Sequence, residues 1–214
     1  MARNDVLTPS NGKASIAAGG AFLGFAAIFL LVMLNGRFGP MAIDAYWDGL
    51  MQSIQIPLLV DVARIFDVVG GTLISGVLIP ALLALALFVQ HRWRSALFLI
   101  SASAVSAIIV QIVKATVARP RPEEMMVISD SGSFPSGHSA NAVVIVLILM
   151  LIFTHQRWIP YVGGGYVLLM MWSRTYLHAH WISDTAAGVL LGITVVLVIW
   201  AGSSRYLVQE ISER

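Results

Sequence analysis

Six long apolar stretches, almost free of charged residues, run through this sequence. A helix rises about 1.5 Å per residue and the hydrocarbon core of a bilayer is about 30 Å thick, so one crossing takes about 20 mainly apolar residues. We predict membrane-spanning helices at residues 14–35, 68–90, 95–113, 139–154, 158–172 and 185–200. Residues 1–214 are therefore expected to form one all-α domain, an integral membrane bundle of six transmembrane helices.

The composition agrees with a membrane location. Hydrophobic residues make up 58% of the chain and charged residues 11%, whereas soluble domains average about 45–50% and about 25%. The tryptophans fall at or near predicted helix ends, as is typical of rings that sit at the level of the lipid headgroups. The first apolar stretch lacks a clear cleavage site, so we expect a retained helix and not a signal peptide.

The composition also excludes two classes of function. The chain has no cysteine, which removes disulfides, thiolate catalysis and thiolate-bound metals. Its formal net charge is only +2 and no run of basic residues stands out, which argues against nucleic-acid partners. Any chemistry therefore falls to His, Asp, Glu, Ser, Lys and Arg side chains.

The segment 41–66, between the first two predicted membrane helices, is amphipathic. Its apolar residues recur at helical spacing on both sides of Pro57, which interrupts the pattern. We predict two short interfacial helices here, lying on the outer surface of the membrane. Such a segment is a candidate lid or lateral wall for a site on that side.

Titratable side chains gather at three places, all on the outer side of a six-helix bundle, although charge at a membrane is costly. These residues are Lys114 and Arg121 after the third helix, Ser136, Gly137 and His138 before the fourth, and Arg174, His180 and Asp184 between the fifth and sixth. One site could therefore contain all of them.

The basic residues also predict an orientation. If both termini are inside, seven Lys and Arg residues lie on the inner side and six on the outer side. Three of the outer six belong to the polar site, which leaves seven against three. Because loops rich in Lys and Arg stay in the cytoplasm, we predict that both termini are cytoplasmic.

The residue types of the polar site suit phosphate chemistry. Lysine and arginine supply positive charge, and a guanidinium matches the paired oxygens of a phosphate. A Ser-Gly helix start adds backbone N–H groups to an anion site. His180 and Asp184 are four residues apart, so on a helix the carboxylate can hold one ring nitrogen while the other faces substrate. His138, from another helix, is placed to protonate a leaving oxygen.

The remaining candidates have simpler interpretations. His91 and His155 lie at inner helix ends and are expected to be structural. His178 is two residues from His180 but has no carboxylate at helical spacing, so we expect a structural or supporting role. Arg119 is expected to be structural or electrostatic, because basic side chains at helix ends commonly extend to the interface.

At the three polar segments the sequence resembles the type-2 phosphatidic acid phosphatase (PAP2) family. That family's signature is Lys-x6-Arg-Pro, then Pro-Ser-Gly-His, then Ser-Arg-x5-His-x3-Asp. Every position matches between Lys114 and Asp184, in order and in spacing. The resemblance implies a phosphatase that needs no metal or organic cofactor.

The resemblance also implies a role for each matched residue. His180 would attack phosphorus to form a phosphohistidine, with Asp184 orienting it, and His138 would be the general acid. The phosphoryl oxygens would be bound by Lys114, Arg121, Arg174, Ser136 and Gly137.

The substrate implied by the resemblance is a lipid phosphate or diphosphate, such as undecaprenyl diphosphate, phosphatidylglycerol phosphate or phosphatidic acid. The location would be the inner (cytoplasmic) membrane of a bacterium, with the site facing the periplasm. A lipid phosphotransferase would use the same intermediate with another acceptor.

Two functions of other classes also remain. A metalloenzyme could use His138, His178, His180 and Asp184 as ligands, but three nearby cations would repel the metal. An anion transporter could line a pore with the same charges, but it has no need of the His180–Asp184 pair.

Overall fold

The computed structural model describes residues 9–129 and 132–212 of the chain. All regular secondary structure within these residues is helical, which confirms the all-α prediction. The α-helices in this part of the chain are α1 (Asn11–Leu31), α2 (Ala42–Ser53), α3 (Pro57–Gly70), α4 (Ile79–Val89), α5 (Trp93–Val117), α6 (Gly137–Ile152), α7 (Ile159–Tyr176) and α8 (Ile182–Ser212). Wider π-helical turns at Val32–Gly36 and Ile74–Leu78 extend α1 and lead into α4.

Four helical segments of the described chain are long and apolar enough to cross a membrane. They are Asn11–Gly36, Pro57–Val89, Trp93–Val117 and Ile182–Ile211. The helix α6 is also apolar but has only 16 residues. The membrane character is thus supported by the structure, while the count of six crossings stays a prediction.

The second predicted membrane helix, 68–90, is divided between α3 and α4. Pro57 occupies the first turn of α3, where its missing N–H costs nothing, and the helix runs on to Gly70. A Cβ atom at Gly70 would lie 2.8 Å from the His138 ring and 2.6 Å from Met170. Glycine therefore permits the close approach of α3 to α6 and α7 at the point where the helix ends.

The last helix, α8, continues well beyond the predicted end at residue 200. Its later half is fixed to the start of two other helices. The Ser204 hydroxyl donates to Asn11 on α1 over 2.5 Å, and the Glu210 carboxylate accepts the backbone N–H groups of Arg94 and Ser95 over 3.0 Å. Those N–H groups begin α5 and have no partner within their own helix.

The centre of the bundle is α8, which packs against α1, α5 and α6. Trp200 of α8 is fully buried and meets Phe98 of α5 edge to face, with ring centroids 5.8 Å apart. At the other end of α8, a Cβ atom at Gly188 would lie 2.4 Å from the Ser136 carbonyl oxygen. This close contact places the start of α8, where the third polar segment ends, beside the start of α6, which carries the second polar segment.

Candidate active site

A cavity of about 350 Å³ opens at the end of the bundle where α5 ends and α6 and α8 begin. Six of the eight residues predicted for the site line this cavity: Lys114, Arg121, Gly137, His138, Arg174 and His180. The fold thus brings together the three polar segments that the sequence singled out. The roles of these residues remain predictions.

His180 lies in the short loop between α7 and α8. The backbone N–H groups of Ala179 and His180 donate to the Arg174 carbonyl over 3.0 and 3.2 Å, which folds the loop back onto the end of α7. His178 adopts a left-handed backbone conformation with a φ of 52°, which is uncommon for a residue with a side chain. This turn carries the His180 ring into the cavity.

The two ring nitrogens of His180 face different partners. The Nε2 atom lies 3.2 Å from Nη1 of Arg121, and the Nδ1 atom lies 3.6 Å from Oδ2 of Asp184. The second distance is too long for a hydrogen bond. His180 lines the cavity, and of its two ring nitrogens Nε2 lies beside the predicted phosphate-binding residue Arg121.

The sequence argument placed His180 and Asp184 on one helix face, and the structure corrects that detail. His180 precedes α8, whereas Asp184 lies in its first turn. The Asp184 carboxylate accepts the backbone N–H of Trp181 over 3.0 Å and is fully buried. The pair therefore meets across the start of the helix, and Asp184 lies outside the cavity lining.

The surroundings of His180 favour its neutral form. Burial lowers the pKa of His180 well below the ordinary value, and the positive charges of Lys114, Arg121 and Arg174 lower it further. A neutral imidazole has a free electron pair on one nitrogen. The site thus keeps His180 in the form that can act as a nucleophile.

Lys114 and Arg121 are held by carbonyl oxygens of the loop before α6. Lys114 Nζ donates to the Gly132 carbonyl over 2.5 Å, and Arg121 Nη2 donates to the same oxygen over 3.3 Å. Arg121 Nη1 also donates to the Ala179 carbonyl over 2.5 Å. Both cations therefore lie at one wall of the cavity, beside the His180 ring.

Asp67 of α3 also lines the cavity, and the sequence argument missed it. Its carboxylate pairs with the guanidinium of Arg174 and lies 3.4 Å from Nε2 of His138. That nitrogen is also 3.1 Å from the Asp67 carbonyl oxygen. Asp67 therefore joins the predicted general acid to a predicted phosphate-binding residue. The sequence did contain a signal for Asp67, because it is an isolated carboxylate directly before a long apolar stretch.

The two residues that open α6 have different surroundings. Gly137 lines the cavity. Ser136 is fully buried, and its hydroxyl accepts the backbone N–H of Ser139 over 3.4 Å, capping the helix. The structure thus places Ser136 behind the cavity wall, and its backbone N–H donates to the Asp184 carbonyl over 2.9 Å.

Two residues expected to be structural acquire carboxylate partners from α2. The Nδ1 atom of His178 lies 2.7 Å from Asp48, which the sequence could not show because the two residues are distant in the chain. Arg119 is buried between Asp44 and Asp184, at 2.6 and 2.7 Å. Within residues 9–129 and 132–212, no three His, Asp or Glu side chains converge as metal ligands.

Comparison with known proteins identifies the family. The profile of the PAP2 superfamily matches residues 95–206, just over half of the chain. The chain belongs to the PAP2 superfamily. This confirms the resemblance drawn from the signature residues, all of which fall inside the matched segment.

A curated PAP2 relative is phosphatidylglycerophosphatase B of Bacillus subtilis (strain 168). It is 26% identical over an alignment of 121 residues, and the match covers 52% of this chain and 59% of that protein. The match therefore spans about three-fifths of the relative's length.

Two crystal structures are similar in fold to this chain. The first transmembrane PAP2-type phosphatidylglycerolphosphate phosphatase from Bacillus subtilis has a TM-score of 0.71 at 22% identity, covering 88% of this chain and 96% of that one. Aquifex aeolicus LpxE has a TM-score of 0.63 at 26% identity, covering 74% of this chain and 95% of that one. The likeness to a transmembrane protein supports the membrane assignment.

Proposed function

We propose that the protein is a lipid phosphate phosphatase that works through a phosphohistidine on His180. The observation that carries the proposal is the position of His180. His180 lines a cavity together with Lys114, Arg121 and Arg174, and its Nδ1 atom is turned toward Asp184. A nucleophile surrounded by cations suits attack on a phosphate group, because the cations stabilise the charge on the phosphoryl oxygens.

The reaction proceeds in two steps. The electron pair on His180 Nε2 forms a bond to phosphorus while the bond from phosphorus to the lipid oxygen breaks. That oxygen leaves with the bonding electrons and takes a proton from His138. A water molecule then gives its proton back to His138 and attacks phosphorus, which breaks the P–N bond and releases phosphate.

Asp67 and Asp184 have complementary tasks in this mechanism. Asp184 is turned toward His180 Nδ1 and favours the ring positive charge that develops as Nε2 bonds to phosphorus. Asp67 holds His138 near the leaving oxygen and fixes Arg174. Each histidine thus has its own carboxylate, as general acids and nucleophiles generally require for orientation.

An apolar groove on the side of the bundle supports a lipid as substrate. The groove has a volume of about 660 Å³ and is lined by side chains of α4, α6 and α7, among them Ile145, Leu149 and Val162. Asn141 lines the catalytic cavity, and Ile145 lies one helical turn further along the same face of α6. A hydrocarbon chain can follow this face while its phosphate occupies the cavity.

The proposed substrates are undecaprenyl diphosphate, phosphatidylglycerol phosphate and phosphatidic acid. The name of the curated relative favours phosphatidylglycerol phosphate among them. Transfer of the phosphoryl group to a second lipid is the alternative reaction, and it differs only in the acceptor that attacks the phosphohistidine.

We further propose that six helices cross the inner membrane, with the site on the periplasmic side and both termini in the cytoplasm. The contact of Ser204 with Asn11 supports this topology, because it places the start of α1 and the later half of α8 together, away from the site. The amphipathic helices α2 and α3 would then begin at the outer interface.

Phosphate release from purified protein tests the function. The detergent-solubilised enzyme is assayed with the three proposed lipids in excess EDTA, with His180→Ala alongside. We expect release by the native enzyme that is abolished in the variant, and the order of the rates identifies the preferred lipid. No release by a folded protein would contradict hydrolysis. Release that EDTA abolishes would favour a metalloenzyme, and equal release by the variant would exclude His180 as nucleophile.

A further inference from the structure

A buried ion-pair cluster lies next to the active site and does not line its cavity. At its centre is Arg119, which is 1% exposed. The Nη1 atom of Arg119 donates to Asp184 over 2.7 Å and to the Ser183 hydroxyl over 2.8 Å. The Nη2 atom donates to Asp44 over 2.6 Å, and Nε donates to the Gly36 carbonyl over 2.8 Å. Arg119 is thus held from three sides.

Asp44 links this cluster to the amphipathic helix α2. Its side chain is fully buried, and one oxygen accepts the backbone N–H of Ser183 over 3.1 Å. The other oxygen accepts the Ser183 hydroxyl over 3.0 Å. The Asp44 carboxylate therefore binds both Ser183, the residue directly before Asp184, and the guanidinium of Arg119, which itself binds Asp184.

We propose that Asp44 and Arg119 are positioning residues that act on His180 through Asp184. The inference rests on the proposed function, in which His180 receives the phosphoryl group. Arg119 fixes one carboxylate oxygen of Asp184, which leaves the other turned toward Nδ1 of His180. The position of that second oxygen determines the orientation of the ring that attacks phosphorus.

The charges of the cluster explain why a second carboxylate is present. Arg119 alone would neutralise Asp184, and a neutral pair would stabilise the developing charge on the His180 ring only weakly. With Asp44 sharing the guanidinium, the three side chains carry a net charge of about −1 beside the ring, and such a charge acts strongly in a buried site. Asp44 thus adds a second negative charge near the ring while every member of the cluster stays paired.

The test follows the first turnover of the full-length enzyme in detergent, using phosphatidic acid with labelled phosphate and rapid quenching. Asp44→Asn removes the charge of the second carboxylate. We expect the rate constant for phosphohistidine formation to fall about 100-fold, because small misplacements of reacting groups cost about that much, while the folded fraction and KM are unchanged. The variant Arg119→Lys keeps the positive charge but loses the planar guanidinium that binds two carboxylates at once. We expect it to slow phosphohistidine formation by a similar factor.

Glu210→Gln provides the matched control, because Glu210 is a buried carboxylate that accepts backbone N–H groups at the opposite end of α8. It is expected to lower the melting temperature without slowing phosphohistidine formation. Ser183→Ala is a milder second change in the cluster, with an expected loss of rate of about 10-fold, in case the first two variants do not fold.

The outcomes separate the inference from the proposed function. If native enzyme forms no phosphohistidine, the proposed function fails and this inference fails with it. A second outcome is that native enzyme forms phosphohistidine, and Asp44→Asn or Ser183→Ala lowers only the amount formed and not the rate constant. A smaller folded fraction would explain that result, and the cluster would then be merely structural. The inference is also overturned if these variants react as fast as Glu210→Gln.

Discussion

The Nε2 atom of His180 lies 3.2 Å from the guanidinium of Arg121. The electron pair of the predicted nucleophile is therefore directed at a cation that is itself predicted to bind the phosphoryl group. A phosphate entering between them would contact both. The predicted phosphate-binding group and the predicted nucleophile therefore lie at the same point of the cavity.

Replacing Arg121 is expected to affect the transition state more than the bound substrate. Arg121→Lys keeps a positive charge but loses the planar fork that matches two phosphoryl oxygens. We expect kcat to fall by about 10² to 10³, the usual loss when one donor to a developing oxyanion is removed, with a smaller rise in KM. Steady-state kinetics on phosphatidic acid provides the measurement. A change in KM alone would mean that Arg121 only binds the ground state.

Asp67 is predicted to support the general acid. In Asp67→Asn the carboxylate no longer pairs with Arg174 or orients His138, so we expect a loss of about 10² to 10⁴ in kcat on lipid substrates. The loss should be much smaller on an aryl phosphate whose leaving group needs no proton, and a comparison of the two substrates measures this difference.

The control for Asp67 lies on the same helix. Asp61 is exposed and pairs only loosely with Arg64, at 3.6 Å. Asp61→Asn should therefore leave both rates unchanged, because an exposed ion pair contributes little. Equal losses on lipid and aryl substrates in Asp67→Asn would show that Asp67 serves Arg174 and not His138.

The low pKa of His180 predicts a specific dependence of stability on pH. Burial, followed by the neighbouring cations, lowers the pKa of His180 in the folded protein, whereas an unfolded histidine titrates near 6.5. Below pH 6.5 the unfolded chain thus binds a proton that the folded chain does not. This group therefore leaves stability unchanged above that pH and lowers it as the pH falls below it.

Melting temperatures of native protein and His180→Gln, measured from pH 7.5 to pH 5, test this prediction. The native curve should fall more steeply below about pH 6.5. Parallel curves would show that His180 is protonated as readily in the folded protein as in the unfolded chain.

The apolar groove predicts a dependence on chain length. Val162 lines the groove on α7 and is 61% exposed, so Val162→Trp fills space without disturbing the core. We expect a rise of about 10-fold in KM for a long-chain phosphatidic acid, since the loss of a few methylene contacts is worth about that much, and no change for a short-chain analogue. Leu168→Trp, also on α7 and 67% exposed but outside the groove, is the matched control.

Much of this site could be predicted from the sequence because its chemistry is concentrated in short segments. The spacing from Lys114 to Asp184 identified the residues around the cavity, and the apolar stretches predicted the helices that carry them. Local patterns suffice for such features, since they depend on residues a few positions apart.

The partners contributed by α2 and α3 could not be predicted in the same way. Asp44, Asp48 and Asp67 reach Arg119, His178 and His138 across more than 70 residues of chain. Such contacts depend on how each helix is rotated against its neighbours, which an amphipathic pattern does not determine. The predicted boundary between the amphipathic segment and the membrane helix, near residue 68, lies a few residues before the break that follows Gly70.

Trapping the intermediate tests the central claim most directly. Native enzyme and His180→Ala are quenched in alkali during turnover of a lipid with labelled phosphate, and the modified residue is located by mass spectrometry. We predict a phosphoryl group on His180 of the native enzyme, stable to alkali and lost in acid, and none in the variant. A native enzyme that hydrolyses the lipid without any phosphoryl group on His180, or that carries it on another residue, would contradict the mechanism.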